Sequence, residues 1–203
     1  MNRRYLMGLF ATPLLVTQAQ ANEPFPVFES DANLLEYKYR KREVDYKSSE
    51  PAGTIVVDTK NKFLYYTLGN NRAIRYGIGV GREGALWAGA ATIKRKAEWP
   101  TWRPTAEMLE IHENYKQWID GMPGGPDNPL GARAMYLIQD DGTDQQFRIH
   151  GTPAPSTIGQ AATSGCFRML NFDVIDLYNR VSIGTRVVVP EKSSNKSIGL
   201  FNN

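Results

Sequence analysis

The chain has 203 residues, 41% of them hydrophobic, and a formal charge of +3. That length suffices for one domain with a sizeable core. The charge is too small and too dispersed for a nucleic-acid-binding stripe, and one cysteine with two histidines rules out a disulfide framework or a complete zinc set at any usual spacing.

In chain order, Asn2-Arg3-Arg4 is a short basic start, and Tyr5 through Val16 is an apolar run too short to span a bilayer. Ala19-Gln20-Ala21 then supplies a small-x-small cleavage site. This order of zones is that of a secretory signal over residues 1–21, with a buried N-terminal helix as the alternative. The expected location is the periplasm, by the general route or, given Arg3-Arg4, the twin-arginine route. Loss of both arginines would lower the formal charge from +3 to +1. No second apolar span follows, so no transmembrane segment is expected in the mature chain.

Residues 22–52, with Pro24 and Pro26, read as an arm carrying a strand-like piece around Glu36 to Tyr46. From Gly53 the pattern sharpens. Thr54–Thr59, Lys62–Thr67 and Arg72–Val80 are β-branched, aromatic or alternating runs separated by Lys60-Asn61 and Gly69-Asn70-Asn71. They predict a meander of antiparallel strands.

Trp99-Pro100-Thr101-Trp102-Arg103-Pro104 is aromatic and proline-punctuated. Thr105 opens a helical window in which Ile111, Tyr115 and Trp118 share a face and Glu107 suits the positive end of the dipole. His112, among Glu110, Glu113 and Asn114, reads as solvated. Residues 121–131 form a long Pro/Gly loop of the kind that covers a site. Ala134–Gln139 and Gln146–His150 read as strands. Asn171 reads as the cap of a helix through Val174, Ile175, Tyr178 and Val181, closing near Gly184. Thr185–Val189 is a last strand, and residues 191–203 read as a flexible tail. The fold class is mainly β, with one or two helices beside the sheets.

The chemistry concentrates in Arg148-Ile149-His150-Gly151-Thr152 and in Thr163-Ser164-Gly165-Cys166-Phe167-Arg168-Met169. A thiol attacks as thiolate and needs an imidazole or a positive field nearby. His150 ends a predicted strand, sixteen positions before Cys166, so a loop that folds back brings the two together. Gly165 allows close backbone approach to a substrate, and the amides of Gly165 and Cys166 are candidates to receive an oxyanion. Arg168 suits a substrate carboxylate. The plain alternatives are a core histidine, a tight-turn glycine and a surface ion pair. The absence of Cys-x-x-Cys argues against a thiol–disulfide enzyme.

Together these two stretches resemble the signature of the L,D-transpeptidase catalytic domain, also called the YkuD domain: His-Gly, a loop, then Ser/Thr-x-Gly-Cys, an apolar residue and Arg or Asn. Many members carry a second histidine where this chain has Ser164. The resemblance extends over Gly53-Thr54-Ile55-Val56-Val57-Asp58, Tyr76-Gly77-Ile78-Gly79-Val80-Gly81, Asn128-Pro129-Leu130-Gly131 and Ala134-Met135-Tyr136-Leu137. It covers roughly residues 53–190.

The resemblance implies a β-sandwich-like catalytic domain and a two-step acyl transfer on peptidoglycan tetrapeptide stems. Cys166 would be the nucleophile, His150 its base and the Gly151 carbonyl the orienter of the imidazole. Gly165, Ser164 and Arg168 would form the oxyanion and substrate side, with no cofactor and no metal. The acyl acceptor is open: another stem amine, an outer-membrane protein or lipoprotein amine, a free D-amino acid or water. Water would make the chain an L,D-carboxypeptidase or hydrolase. A non-catalytic wall-binding domain is the alternative of another class. The segment Trp99 to Trp102 and the loop Gly121 to Gly131 would form a lid over the site, core packing being the other reading of the tryptophans.

Overall fold

A computed structural model describes residues 23–82, 87–139, 142 and 147–190. The expected signal (1–21) and tail (191–203) lie outside the described residues. The elements in order are β1 (Arg42–Asp45), β2 (Ile55–Asp58), β3 (Phe63–Gly69), β4 (Arg72–Gly77), β5 (Val80–Gly81), β6 (Gly89–Glu98), α1 (Ala106–Ile111), β7 (Arg133–Gln139), β8 (Arg148–His150), β9 (Ala161–Thr163), β10 (Phe167–Arg168), α2 (Asn171–Arg180) and β11 (Arg186–Val189). The fold is mainly β. Among the described residues, nine strands form one mixed sheet in the order β1-β4-β3-β2-β11-β6-β7-β8-β10, and β5 pairs with β9 in a second sheet.

The expected meander is β2-β3-β4. Its turns set Lys62 (φ 63°), Asn70 (φ 50°) and Asn71 (φ 59°) in the left-handed region, which asparagine tolerates better than most residues. A bridge between Gly79 and Arg168 ties the end of the meander to β10, so the large sheet folds back on itself. The space it encloses is filled from β2, β4, β6, β7, β8, β10 and α2, with Ile55, Tyr76, Ile93, Met135, Ile149, Phe167 and Leu177 essentially inaccessible. This is the sandwich-like arrangement expected from the resemblance.

Several elements differ from expectation. The strand in the arm is shorter, Arg42–Asp45, and it extends the main sheet by pairing with β4. Tyr37–Tyr39 is a single 3₁₀ turn. Tyr46 stacks on Tyr65 with centroids 4.3 Å apart, so the arm is fastened by aromatic burial. The longest strand, β6, has no strand-like sequence signature. It is rich in small and charged residues, and it is held by neighbours on both sides, β11 and β7. The helical window splits into α1 and a 3₁₀ stretch, Glu113–Trp118. Thr105 does cap α1, accepting from the Met108 amide at 3.3 Å. Asn171 is not a cap: Leu170 holds that position without a side-chain bond. At the other end of α2, Lys96 Nζ donates to the carbonyls of Tyr178 (2.7 Å) and Val181 (2.6 Å), satisfying orphan acceptors where a cation suits the helix dipole. No helix among the described residues is long and apolar enough to cross a membrane.

Candidate active site

Strand register builds the site. β10 runs parallel to β8, with Arg168 opposite His150 and Phe167 opposite Ile149. Paired residues on adjacent strands share a face, and faces alternate along each strand. Phe167 and Ile149 therefore point together into the core, where both are fully buried. His150 and Arg168 point together to the other face, and Cys166, two residues before Arg168, starts on that same face. All three line one cleft of about 560 Å³ with Ser164, Tyr115 and Arg148.

The backbone around Cys166 is fixed from both sides. Arg168 and Gly79 exchange N–H···O bonds of 2.8 Å, and the Met169 amide donates to the His150 carbonyl at 2.8 Å. Thr163 closes the turn itself. Its hydroxyl donates to the Cys166 carbonyl at 2.7 Å and accepts from the Gly165 amide at 3.3 Å. The turn needs glycine at 165, where φ is 124°. The Gly165 amide is thus engaged inside the turn. Ser164 is exposed at the rim and Cys166 is half-buried.

His150 is 4% exposed. Its Nδ1 lies 2.6 Å from the Gly151 carbonyl, an acceptor that requires the proton on Nδ1 and leaves Nε2 as the basic nitrogen. Burial pushes the imidazole pKa down to about 3; the Gly151 bond opposes this, and Arg168 and Arg148 add to it. The ring is neutral at physiological pH. Gly151 is held in turn. Its amide donates to the Arg133 carbonyl at 3.0 Å. Asn171 Oδ1 accepts from the amides of Ala132 (3.0 Å) and Thr152 (3.1 Å). A Cβ at either Gly131 or Gly151 would collide with that oxygen.

Arg168 is desolvated, which lowers its pKa, while Cys166 and Tyr115 act in the opposite sense. The expected lid divides. Trp102 lines the cleft and meets Tyr115 edge-on at 5.2 Å. Trp99 does not line it; its Nε1 donates to Glu23 at 2.8 Å and its ring packs against Phe25. From the loop over residues 121–131, Pro129 and Leu130 reach the cleft. Buried Asn128 holds that loop through the carbonyls of Pro100, Met122 and Pro123 and the Leu130 amide. His112 is exposed, as expected, but it sits at the rim of the cleft beside Tyr115. Sequence reasoning missed Thr163 and Asn171 as supports of the site. Thr163 stood inside the quoted motif, and Asn171 was assigned to a cap because its acceptor partners are remote in sequence.

Comparison with known proteins identifies the family. Residues 52–189 match the family model described as the L,D-transpeptidase catalytic domain, YkuD. The chain belongs to the YkuD family. A probable L,D-transpeptidase of Escherichia coli K12, YbiS, is 34% identical over 143 residues, 66% of this chain and 43% of that protein. A putative L,D-transpeptidase of Fuscovulum blasticum is 30% identical over 201 residues, 93% of this chain and 97% of that one. The chain therefore spans less than half the length of the E. coli relative and nearly all of the other. Among solved structures, a Brucella melitensis protein described as a probable carnitine operon oxidoreductase shares 51% identity, with a TM-score of 0.53 over 78% of this chain and 99% of that one. The Ldtfm–avibactam carbamoyl enzyme, 19% identical with a TM-score of 0.52 over 70% of this chain and 50% of that one, shares the fold. The oxidoreductase description is said of the Brucella melitensis protein, whereas residues 52–189 of this chain match the YkuD model.

Proposed function

We propose that this chain is an exported, cysteine-dependent L,D-transpeptidase acting on peptidoglycan tetrapeptide stems in the periplasm. The observation that carries the reading is the parallel register of β8 and β10, which turns His150, Cys166 and Arg168 to one face and into one cleft. Arginines 82, 103, 148 and 168 line that cleft, with Glu107 as the acidic lining residue among those described. Such a lining suits a carboxylate-bearing stem.

The thiol of Cys166 attacks the carbonyl of the third stem residue, and its proton passes to His150 Nε2. Negative charge develops on the carbonyl oxygen beside the Cys166 amide. The tetrahedral adduct collapses, the C–N bond breaks, and D-alanine leaves with the proton from His150. An acceptor amine then attacks the thioester, gives its proton to His150, and the returning thiolate recovers it. Gly151 keeps Nε2 toward the cleft throughout. Trp102, Tyr115 and Leu130 shield the thioester from water.

The test is product analysis by mass after incubation with tetrapeptide muropeptides and amine acceptors. Crosslinked or amine-linked products support transfer; tripeptide alone identifies water as the acceptor and the chain as a carboxypeptidase. Cys166→Ser and His150→Ala are expected to abolish thioester formation, the latter by at least roughly 100-fold, with thermal unfolding retained. Near-normal turnover in either variant would overturn the assigned role, and a cellular phenotype unchanged by Cys166→Ala would point to a non-catalytic wall-binding domain.

A further inference from the structure

A second cavity, of about 660 Å³, continues the catalytic cleft past Trp102, Arg103, Thr105 and Leu130, which line both. Its floor follows from register. Arg95 on β6 pairs with Tyr136 on β7, and Tyr136 pairs with Arg148 on β8. Stepping the β8–β10 register back by one like-facing position sets Cys166 beside Arg148. Arg95, Tyr136 and Arg148 thus form a row across three neighbouring strands, on the face opposite the core, and Cys166 lies immediately before the fourth strand, β10. Three strand spacings separate Arg95 from the nucleophile, roughly 14 Å between backbones.

A local irregularity builds this row. The register of β6 against β7 shifts between Ile93 and Arg95, so Lys94 is an extra residue and Arg95 reaches Tyr136. Bulges of this kind re-aim side chains beside active sites. The Arg95 guanidinium lies 3.5 Å from the Tyr136 ring centroid, a stack that fixes its plane while leaving donors at its edge. Arg103 lines the same cavity. Lys94 and Arg148 also line the cavity, and none of the described lining residues is acidic. Neither Arg95 nor Arg103 lies within ion-pair distance of a carboxylate among the described residues.

We propose that this row is the acceptor track: it seats an extended, amine-bearing peptide whose amine meets the thioester and whose carboxylate, about four residues away, is held by Arg95 and Arg103. The spacing follows from the extended chain, which spans at most about 3.5 Å per residue. The proposal rests on the acyl-transfer reading.

The experiment uses three amine acceptors, otherwise identical, with glutamate at position four, glutamine at position four, or glutamate at position two. With a tetrapeptide donor, the position-four glutamate peptide is expected to show an acceptor KM about tenfold below the other two. Arg95→Gln should erase that difference by raising KM while kcat at saturating acceptor changes less than twofold. Arg72→Gln, a surface arginine on β4, controls for overall charge. Equal KM for the three peptides, or an Arg95→Gln enzyme that still distinguishes them, overturns the track. Inorganic phosphate that competes as strongly as the glutamate peptide at matched ionic strength overturns it too, by reassigning the row to phosphate. Calorimetric titration of the same peptides into Cys166→Ala protein reads binding without chemistry. Absence of a thioester in the wild type sinks the acyl-transfer reading alone. Equal binding of glutamate and glutamine peptides sinks the track alone.

Discussion

Burial sets the protonation state of His150, and with it the pH range over which the thiol has a base beside it. An ordinary imidazole is largely protonated at pH 5. With its pKa pushed down to about 3 by burial, His150 stays neutral there. The expected outcome is that the rate of Cys166 acylation, followed as adduct mass against time, has no acid limb centred near pH 6.5. A rate that falls with an apparent pKa of 6 to 7 on acidification would show that the ring is solvated in the working enzyme. A second prediction concerns Asn171. Its Oδ1 holds the Ala132 and Thr152 amides on either side of the Gly151 segment that orients the imidazole. Asn171→Ala leaves two donors without their acceptor, each costing about 1–3 kcal/mol, and frees the Gly151 carbonyl to move. Asn171→Asp keeps an acceptor oxygen. Acylation should therefore fall at least roughly tenfold in the alanine variant, and the aspartate variant should recover much of it. Imidazole ¹⁵N shifts report whether the proton stays on Nδ1. Equal losses in both variants, with an unchanged tautomer, would leave Asn171 no positioning role.

At the scale of elements, α2 carries a buried acid that the reaction does not use. Asp173 is 1% exposed, and its Oδ2 has no hydrogen-bond partner among the described residues. Burial raises its pKa to about 7, with Asp176 adding to the rise and Lys41 opposing it. The folded chain holds this proton up to about pH 7, whereas an unfolded aspartate releases it near pH 4. Stability from this group is therefore full below pH 4 and is lost as pH rises toward 7. His150 acts in the opposite sense: unfolded chain takes its proton below about pH 6.5 and folded chain does not. Asp173→Asn removes the first contribution alone. The difference in Tm, variant minus wild type, should grow between pH 4 and 7 and level off above; a difference flat with pH would mean that the carboxyl is hydrated. The elements themselves were unequally legible. The meander, β7, β8, α2 and β11 announce themselves by alternation, β-branching or helical spacing. β6 does not, because its strand state comes from β7 and β11 on either side and not from its own residues. The candidate pair, Cys166 and His150, was readable because Gly165-Cys166 and His150-Gly151 each carry local chemistry. Their supports, Thr163 and Asn171, act through partners that only the folded chain brings near, and the bulge at Lys94 leaves no trace in sequence.

For the whole molecule, the arm reads differently from a dispensable linker. Glu23 makes a buried ion pair with Arg133, including a 3.0 Å contact to Nη1, and accepts from Trp99 Nε1 at 2.8 Å. Val27 packs with Ala132 and Ile175. The arm thus joins Trp99, three residues before Trp102, to Arg133, whose carbonyl accepts from the Gly151 amide. Both charges are desolvated, with side chains 5% and 8% exposed. Deleting Glu23 leaves Arg133 the exposed Glu98 carboxylate at 3.8 Å, a poor substitute for the buried partner, at a cost of about 3–5 kcal/mol. Glu23→Ala should accordingly lower Tm by roughly 10 °C for a domain of this size. Arg133→Met combined with Glu23→Leu should recover much of that loss, since an apolar pair of similar volume replaces a buried ion pair without an uncompensated charge. Cleavage after Ala21 would keep Glu23 in the mature chain, one residue from its new terminus. Trimming the chain to begin at Phe28 is expected to match Glu23→Ala in Tm and to lose acylation rate as well, because Trp99 and Arg133 lose their common anchor. A trimmed chain with the stability and acylation rate of the longer one would show that the arm holds neither the fold nor the site.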